Sequence, residues 1–194
     1  MHIRFPDRRR FIWADAICIN QSDLQERSQQ VRLMGNIYRN AERVLIWLGP
    51  DYTQVTARQT FSALCELIRP SHLTGDDQKI QRYMGEVAKS KWSTRLWVVQ
   101  ELLLARRAVA LWGNEELDFI YLRAPWNKWF DKPGHDLPRW CARRRCTFKK
   151  SLILTSDLHC SDPRDRIYAL LSLHQLGNEE STFITELRHI IRDY

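Results

Sequence analysis

FIWADAICINQSDLQERSQQVRLMGNIYRNAERVLIWLG, running from Phe11 to Gly49, is the stretch around which the rest of the chain organises. Its first part, Phe11 to Ile19, is apolar, rich in β-branched and aromatic residues, and short enough for a buried strand. One acid, Asp15, interrupts it. A carboxylate there is costly unless it is paired or lies at the solvent-facing strand end. Asn20-Gln21-Ser22-Asp23 then supplies N-cap side chains, with capping-box spacing for Ser22 with Gln25 or for Asp23 with Glu26. A helix is expected from Asp23 or Leu24, with Leu24, Val31, Met34, Tyr38 and Ala41 forming its apolar stripe. Arg43 to Leu48 reads as a second strand, stopped by Gly49-Pro50-Asp51. Two near-continuous apolar strands joined by a helix imply a parallel sheet with a crossover connection.

The chain has 194 residues, 44% of them hydrophobic, and no run of 18 apolar residues. A single domain is expected over 1–194, with no membrane-spanning segment. The opening residues Met1 to Pro6 lack the apolar core of a signal peptide, so the expected compartment is cytoplasmic. Five cysteines without framework spacing read as free thiols. The net charge of +7 concentrates in RWCARRRCTFKK, residues 139–150, which reads first as a solvated face; no nucleic-acid reader motif accompanies it.

Further along, helical spacing covers residues 53–69 and, through Ile80, Tyr83, Met84 and Val87, a second short helix. Lys89 to Gly113 reads as a loop, a helix from about Thr94 to Arg106, and a strand from Ala108 to Trp112. Trp97 and Glu101 stand four apart, which places an aromatic ring and a carboxylate on neighbouring parts of one helix face. Such a pair can hold a planar, sugar-bearing ligand; it can equally be a core tryptophan beside a salt-bridged glutamate. Gly113-Asn114 predicts a tight turn into Leu117 to Tyr121. Pro125 to Pro138 is aromatic and irregular. Helices are expected over Phe148 to Leu158, from the Asp162-Pro163-Arg164-Asp165 start signal to about His174, and over Ser181 to Tyr194. The alternating charges of 162–166 read as helix capping with local pairing, or as an anion grip.

No metal is expected, because His135, Cys141, Cys146, His159 and Cys160 lack a ligand spacing. Nothing local activates Cys18 or Cys65 as a nucleophile, and no glycine-rich phosphate loop is present.

Three blocks together resemble the fungal heterokaryon incompatibility (HET) domain: 13–49, RLWVVQELLLARRAVALWG at 95–113, and SDPRDRIYALLSL at 161–173. The family pattern also has an earlier strand carrying a Ser-Tyr-x-Trp-Gly-like sequence. That segment is absent here, so the chain resembles a partial HET domain lacking its first strand and its end. The resemblance implies an α/β, TIR-like three-layer fold: a short, mainly parallel sheet flanked by helices, with extra helical insertions. Its core would span about 11–113 and a helical C-terminal part about 122–194.

The same resemblance implies a role in fungal non-self recognition and regulated cell death, with protein partners or self-association. By the more remote likeness to TIR enzymes that cleave NAD, Lys91-Trp92-Ser93 and Trp97 to Leu102 look like the glutamate-bearing segment. Glu101 would then be catalytic, Trp97 would wall the pocket, and Asp15 and Asn20 would bind substrate at the carboxyl edge of the sheet. NAD would be a substrate rather than a cofactor. Because TIR-type sites need residues from the missing first strand, the expected mode of action is signalling through assembly and protein interaction; an NAD glycohydrolase using Glu101 and an inactive truncated remnant are the alternatives.

Overall fold

The computed structural model describes residues 7, 9–51, 56–67, 77–122 and 148–174. The expected terminal helix at 181–194, the irregular 125–138 stretch and residues 139–147 of the basic segment lie outside the described residues.

The expected first strand does not form. Residues 9–14 form no regular element and have no strand partner among the described residues, Ala14 alone being shown extended, and Asp15–Cys18 is a single helical turn, α1. Ala14 C=O accepts from the N–H groups of Ile17 and Cys18 at 3.0 and 2.8 Å. The acid explains the departure from the sequence pattern. In a helical turn Asp15 stays half-exposed within 3.8 Å of Arg95, while Ile17 is turned out to solvent and Ile19 is buried.

The helix α2, Leu24–Asn40, starts where the cap residues place it. The Asp23 carboxylate accepts from the N–H groups of Gln25 and Glu26, and the Glu26 carboxylate reaches back to Asn20 N–H at 3.1 Å. Of the expected stripe, Met34 is buried and Val31, Tyr38 and Ala41 are partly so, but Leu24 is exposed, because the first turn projects beyond the core. Gly35 is buried where α2 meets the C-terminal helix, and a Cβ there would run into the Ser172 side chain.

Strand β1, Val44–Gly49, buries Val44, Ile46 and Leu48 and leaves Trp47 exposed. Helices α3 (Thr56–Leu67), α4 (Asp77–Ala88) and α5 (Val98–Leu104) follow before the chain returns as β2, Ala108–Trp112, parallel to β1. The expected longer helix from Thr94 is preceded by turns: only Val98 to Leu104 is regular. β3, Glu115–Asp118, pairs antiparallel with β2 across the Gly113-Asn114 turn. Gly113 has φ +58°, a conformation that glycine adopts without a Cβ penalty, and its N–H donates to Gly49 C=O at 2.9 Å. The three-stranded sheet is ordered β1-β2-β3, with one parallel and one antiparallel pairing. It is mixed rather than mainly parallel, and the parallel pair is β1 with β2, not residues 11–19 with β1.

Helices α6, Phe148–Leu154, and α7, Asp165–His174, complete the described residues. α2, α5 and α7 pack against one another, with Leu96, Val98, Val99 and Leu170 buried in one continuous core with Ile46 and Ala110. Among the described residues no helix is long and apolar enough to cross a membrane.

Candidate functional site: a cleft beside β1

A cleft of about 790 Å³ opens between four pieces of chain: the segment at 10–14 with Asp15, the C-terminal half of α2, the start of β1, and the 91–95 turns with Glu101. Each wall is fixed by a local cause. The 91–95 turns are held by Ser93, whose hydroxyl donates to Ala88 C=O and to Ser90 C=O at 2.7 and 2.8 Å. They are clamped from a distance as well: His159 C=O accepts from Leu96 N–H at 2.8 Å, and His159 N–H donates to Thr94 C=O at 2.7 Å. Arg95, between those two bonds, is thereby presented to the cleft.

Glu101 stands in the first turn of α5. The Trp92 indole N–H donates to its carboxylate at 3.0 Å, and Trp92 is itself buried, edge-on to Phe119 with ring centroids 6.1 Å apart. Burial pushes the Glu101 carboxyl above its ordinary value; the Trp92 hydrogen bond and the Arg95 charge oppose that, and the Asp15 charge adds to it. Arg95 faces Asp15 at 3.8 Å across the same space. Tyr38 lines the cleft beside them, its ring edge-on to Trp13 at 5.9 Å. Burial, with the negative charges of Glu101 and Asp15, drives its phenol far above the ordinary range against the pull of Arg95, so the hydroxyl keeps its proton and is able to donate a hydrogen bond. The arrangement combines two carboxylates of unequal environment, one guanidinium, a neutral phenol and aromatic walls. That set can bind a hydroxyl-bearing ligand and stabilise positive charge developing on it.

Of the residues singled out in the sequence, Glu101 and Asp15 come together here. Trp97 and Asn20 do not line the cleft. The Trp97 indole donates instead to the Asp165 carboxylate in the first turn of α7, at 3.1 Å. Asn20 closes the turn before α2, its side-chain oxygen accepting from Ser22 N–H at 3.1 Å. Tyr38, Trp13, Arg95 and Trp47 are cleft residues that the sequence pattern assigned to the α2 stripe, to the two expected strands and to the expected helix from Thr94 rather than to a site. Only the tryptophan-rich setting of 92–97 signalled this wall.

Elsewhere, Asp162 and Arg164 form an exposed local fork, Arg164 Nη2 lying 2.7 Å from Asp162 Oδ2. Hydrogen bonding from Arg164 holds the Asp162 carboxyl down at about 2. Among the described residues no three His, Cys, Asp or Glu side chains form a metal-holding group, and Cys18, Cys65 and Cys160 are not joined in disulfides. His135, Cys141 and Cys146 lie outside the described residues.

Comparison with known proteins bears on what surrounds this cleft. Residues 1–101 match the family described as heterokaryon incompatibility protein (HET). Over 39 residues the chain is 59% identical to heterokaryon incompatibility protein 6, OR allele, of Neurospora crassa; the matched stretch is 20% of this chain and spans 6% of that protein. No solved structure matches the chain. With the family match covering 101 of 194 residues, and with every cleft residue inside it, the chain belongs to the heterokaryon incompatibility (HET) family.

Proposed function

We propose that this chain acts in fungal incompatibility, and that it does so through TIR-like cleavage of NAD in the cleft centred on Glu101. The observation that carries this reading is the Glu101 carboxylate, held by the Trp92 indole in an aromatic-walled cleft that also contains Asp15, Arg95 and Tyr38.

The chemistry follows from charge. In NAD the nicotinamide nitrogen is positive, and breaking the bond to ribose C1′ sends the bonding electrons to that nitrogen and leaves the positive charge on the ribosyl group. A carboxylate beside C1′ stabilises this charge more in the transition state than in the ground state, which is the condition for lowering the barrier. Water then adds to C1′ and its proton leaves to solvent, giving nicotinamide and ADP-ribose. Glu101 serves this role when ionised. Because its proton affinity is raised by burial, activity falls with decreasing pH from above the ordinary glutamate value. In this reading the neutral Tyr38 hydroxyl and the Asp15 carboxylate, which line the cleft, hold ribose hydroxyls, and the Trp13 and Trp47 rings stack on a planar base.

The test is nicotinamide release by the purified chain and by Glu101→Gln, which keeps an acceptor for the Trp92 indole. The expected result is release that drops by about 10²–10³-fold in the variant. No release from the folded chain, or release indifferent to Glu101, would remove NAD cleavage by this cleft and leave signalling by assembly as the route to incompatibility.

A further inference from the structure

Glu101 is fastened from outside the cleft as well as from within it. Its main-chain N–H donates to Trp97 C=O at 3.2 Å, and the Gln100 N–H donates to the same oxygen at 3.1 Å. Trp97 is the N-cap residue of α5 and makes no side-chain cap bond, since an indole carries a donor and no acceptor. The direction of this first turn therefore depends on what holds Trp97. The hold comes from α7: the Trp97 indole N–H donates to Asp165 Oδ2 at 3.1 Å. Asp165 is set in its turn by its place in the first turn of α7, where the helix dipole favours an acid, and by its N–H, which donates to Asp162 C=O at 2.9 Å.

The same part of the chain steadies the residues just before Trp97. Arg95 and His159 form a parallel bridge, through the two main-chain bonds that His159 makes to Thr94 and Leu96. Arg166 of α7 ties the approach to that bridge, its guanidinium donating to Thr155 C=O and Leu158 C=O, both at 3.3 Å. Residues 94–97 are thus held by main-chain bonds at one end and by the Asp165 carboxylate at the other. On the cleft side, the Glu101 carboxylate accepts from the Trp92 indole at 3.0 Å, with the charges of Arg95 and Asp15 and the Tyr38 phenol around it. An N–H···O bond is good over a range of only about 2.7–3.2 Å, so a shift of about 1 Å at the start of α5 breaks it.

We propose that Asp165 is a positioning residue for Glu101: by holding the Trp97 indole it sets the first turn of α5 and so keeps the Glu101 carboxylate on the Trp92 indole. The path is short, running from the Asp165 carboxylate to the Trp97 ring, from the Trp97 carbonyl to the Glu101 N–H, and from the Glu101 carboxylate to Trp92. What Asp165 supplies is an acceptor oxygen, because the indole has only a proton to give. Its consequence for catalysis rests on the NAD-cleaving reading, in which a misplaced carboxylate stabilises the ribosyl cation less; its consequence for the geometry of Glu101 does not.

The experiment compares Asp165→Leu, which removes the acceptor at similar size, with Asp165→Asn, which keeps an acceptor oxygen and removes the charge. The first measurement needs no NAD: the indole N–H signals of the full chain are followed by NMR as pH is varied. In the parent the Trp92 signal should move as Glu101 ionises, and Glu101→Gln should abolish that movement. Asp165→Leu should lose most of it and Asp165→Asn should keep it, with the Trp112 signal of β2, packed on Phe61, reporting that the fold is kept. Trp97→Phe removes the donor of the same bond and should behave like Asp165→Leu, so the test stands even where the leucine variant does not fold. The second measurement is nicotinamide release, in which Asp165→Leu should lower kcat about tenfold with KM little changed, and Asp165→Asn should stay close to the parent. A Trp92 signal that ignores Glu101 in the parent would overturn the proposal. So would a full response in both Asp165→Leu and Trp97→Phe, or an Asp165→Asn variant as impaired as the leucine one. Absence of nicotinamide release from the parent removes the NAD reading and leaves the NMR result to decide the role of Asp165.

Discussion

The buried and the open sides of α5 treat neighbouring polar residues in opposite ways. Glu101, at the cleft, carries a carboxylate that receives the Trp92 indole N–H and has Arg95, Asp15 and Tyr38 in its electrostatic surroundings. Gln100, one residue earlier, is fully buried, and neither its amide oxygen nor its amide nitrogen has a hydrogen-bond partner among the described residues. A neutral amide without partners costs less to bury than a charge would, yet still pays the desolvation of both its polar atoms. The contrast teaches that polar groups on this helix stand at a cost to stability on either side. Only on the cleft side is that cost coupled to a place where a ligand can sit.

The largest expected effect comes from the packing that defines the buried side. Gly35 of α2 lies against Ser172 of α7, with Leu104 of α5 close by. Gly35→Ala should lower stability by about 1–3 kcal/mol, a Tm drop of roughly 3–10 °C for a chain of this size. Ser172→Gly in the same chain should restore most of it, and thermal unfolding of the single and double variants reads this directly.

Gln100→Met keeps an unbranched side chain while removing the unpaired amide, and should raise stability by about 1–2 kcal/mol. A loss in chemical denaturation would show that the amide is satisfied and would erase the contrast between the two sides.

The smallest effect belongs to Glu101→Gln, and it depends on pH. The folded protein holds the Glu101 proton more tightly than the unfolded chain does, because burial raises its proton affinity. Stability from this group is therefore present below the ordinary glutamate value and is lost as pH rises through the raised one. The variant should match the parent in acid and be the more stable of the two near neutrality, seen as a higher Tm there and not at low pH. An advantage independent of pH would place the gain in packing rather than charge.

Much of this architecture was legible where local chemistry and periodicity agree. Asp23 caps α2 because an acid stands before a run of helical spacing, and Gly113-Asn114 turns β2 into β3 because it permits positive φ. The segment 11–19 misled because its apolar composition satisfies a strand, whereas one acid is enough to favour a helical turn with Ile17 facing solvent. For Trp97 and Glu101 the four-residue spacing was a sound helical argument. The Trp97 indole nonetheless donates to Asp165, 68 residues later, and its ring does not line this cleft. Tyr38 read as core, and it is partly buried; that its hydroxyl shares a cleft with Glu101 and Asp15 arises only when α2 packs on α5.

The two bonds that His159 makes to Thr94 and Leu96 set the size of the cooperative unit. The stretch that matches the family ends at residue 101, before β2, which is the strand that pairs with β1, and far before the clamp that steadies Arg95. A piece of chain cut at that boundary would contain every cleft residue and yet lack the scaffold that orients them.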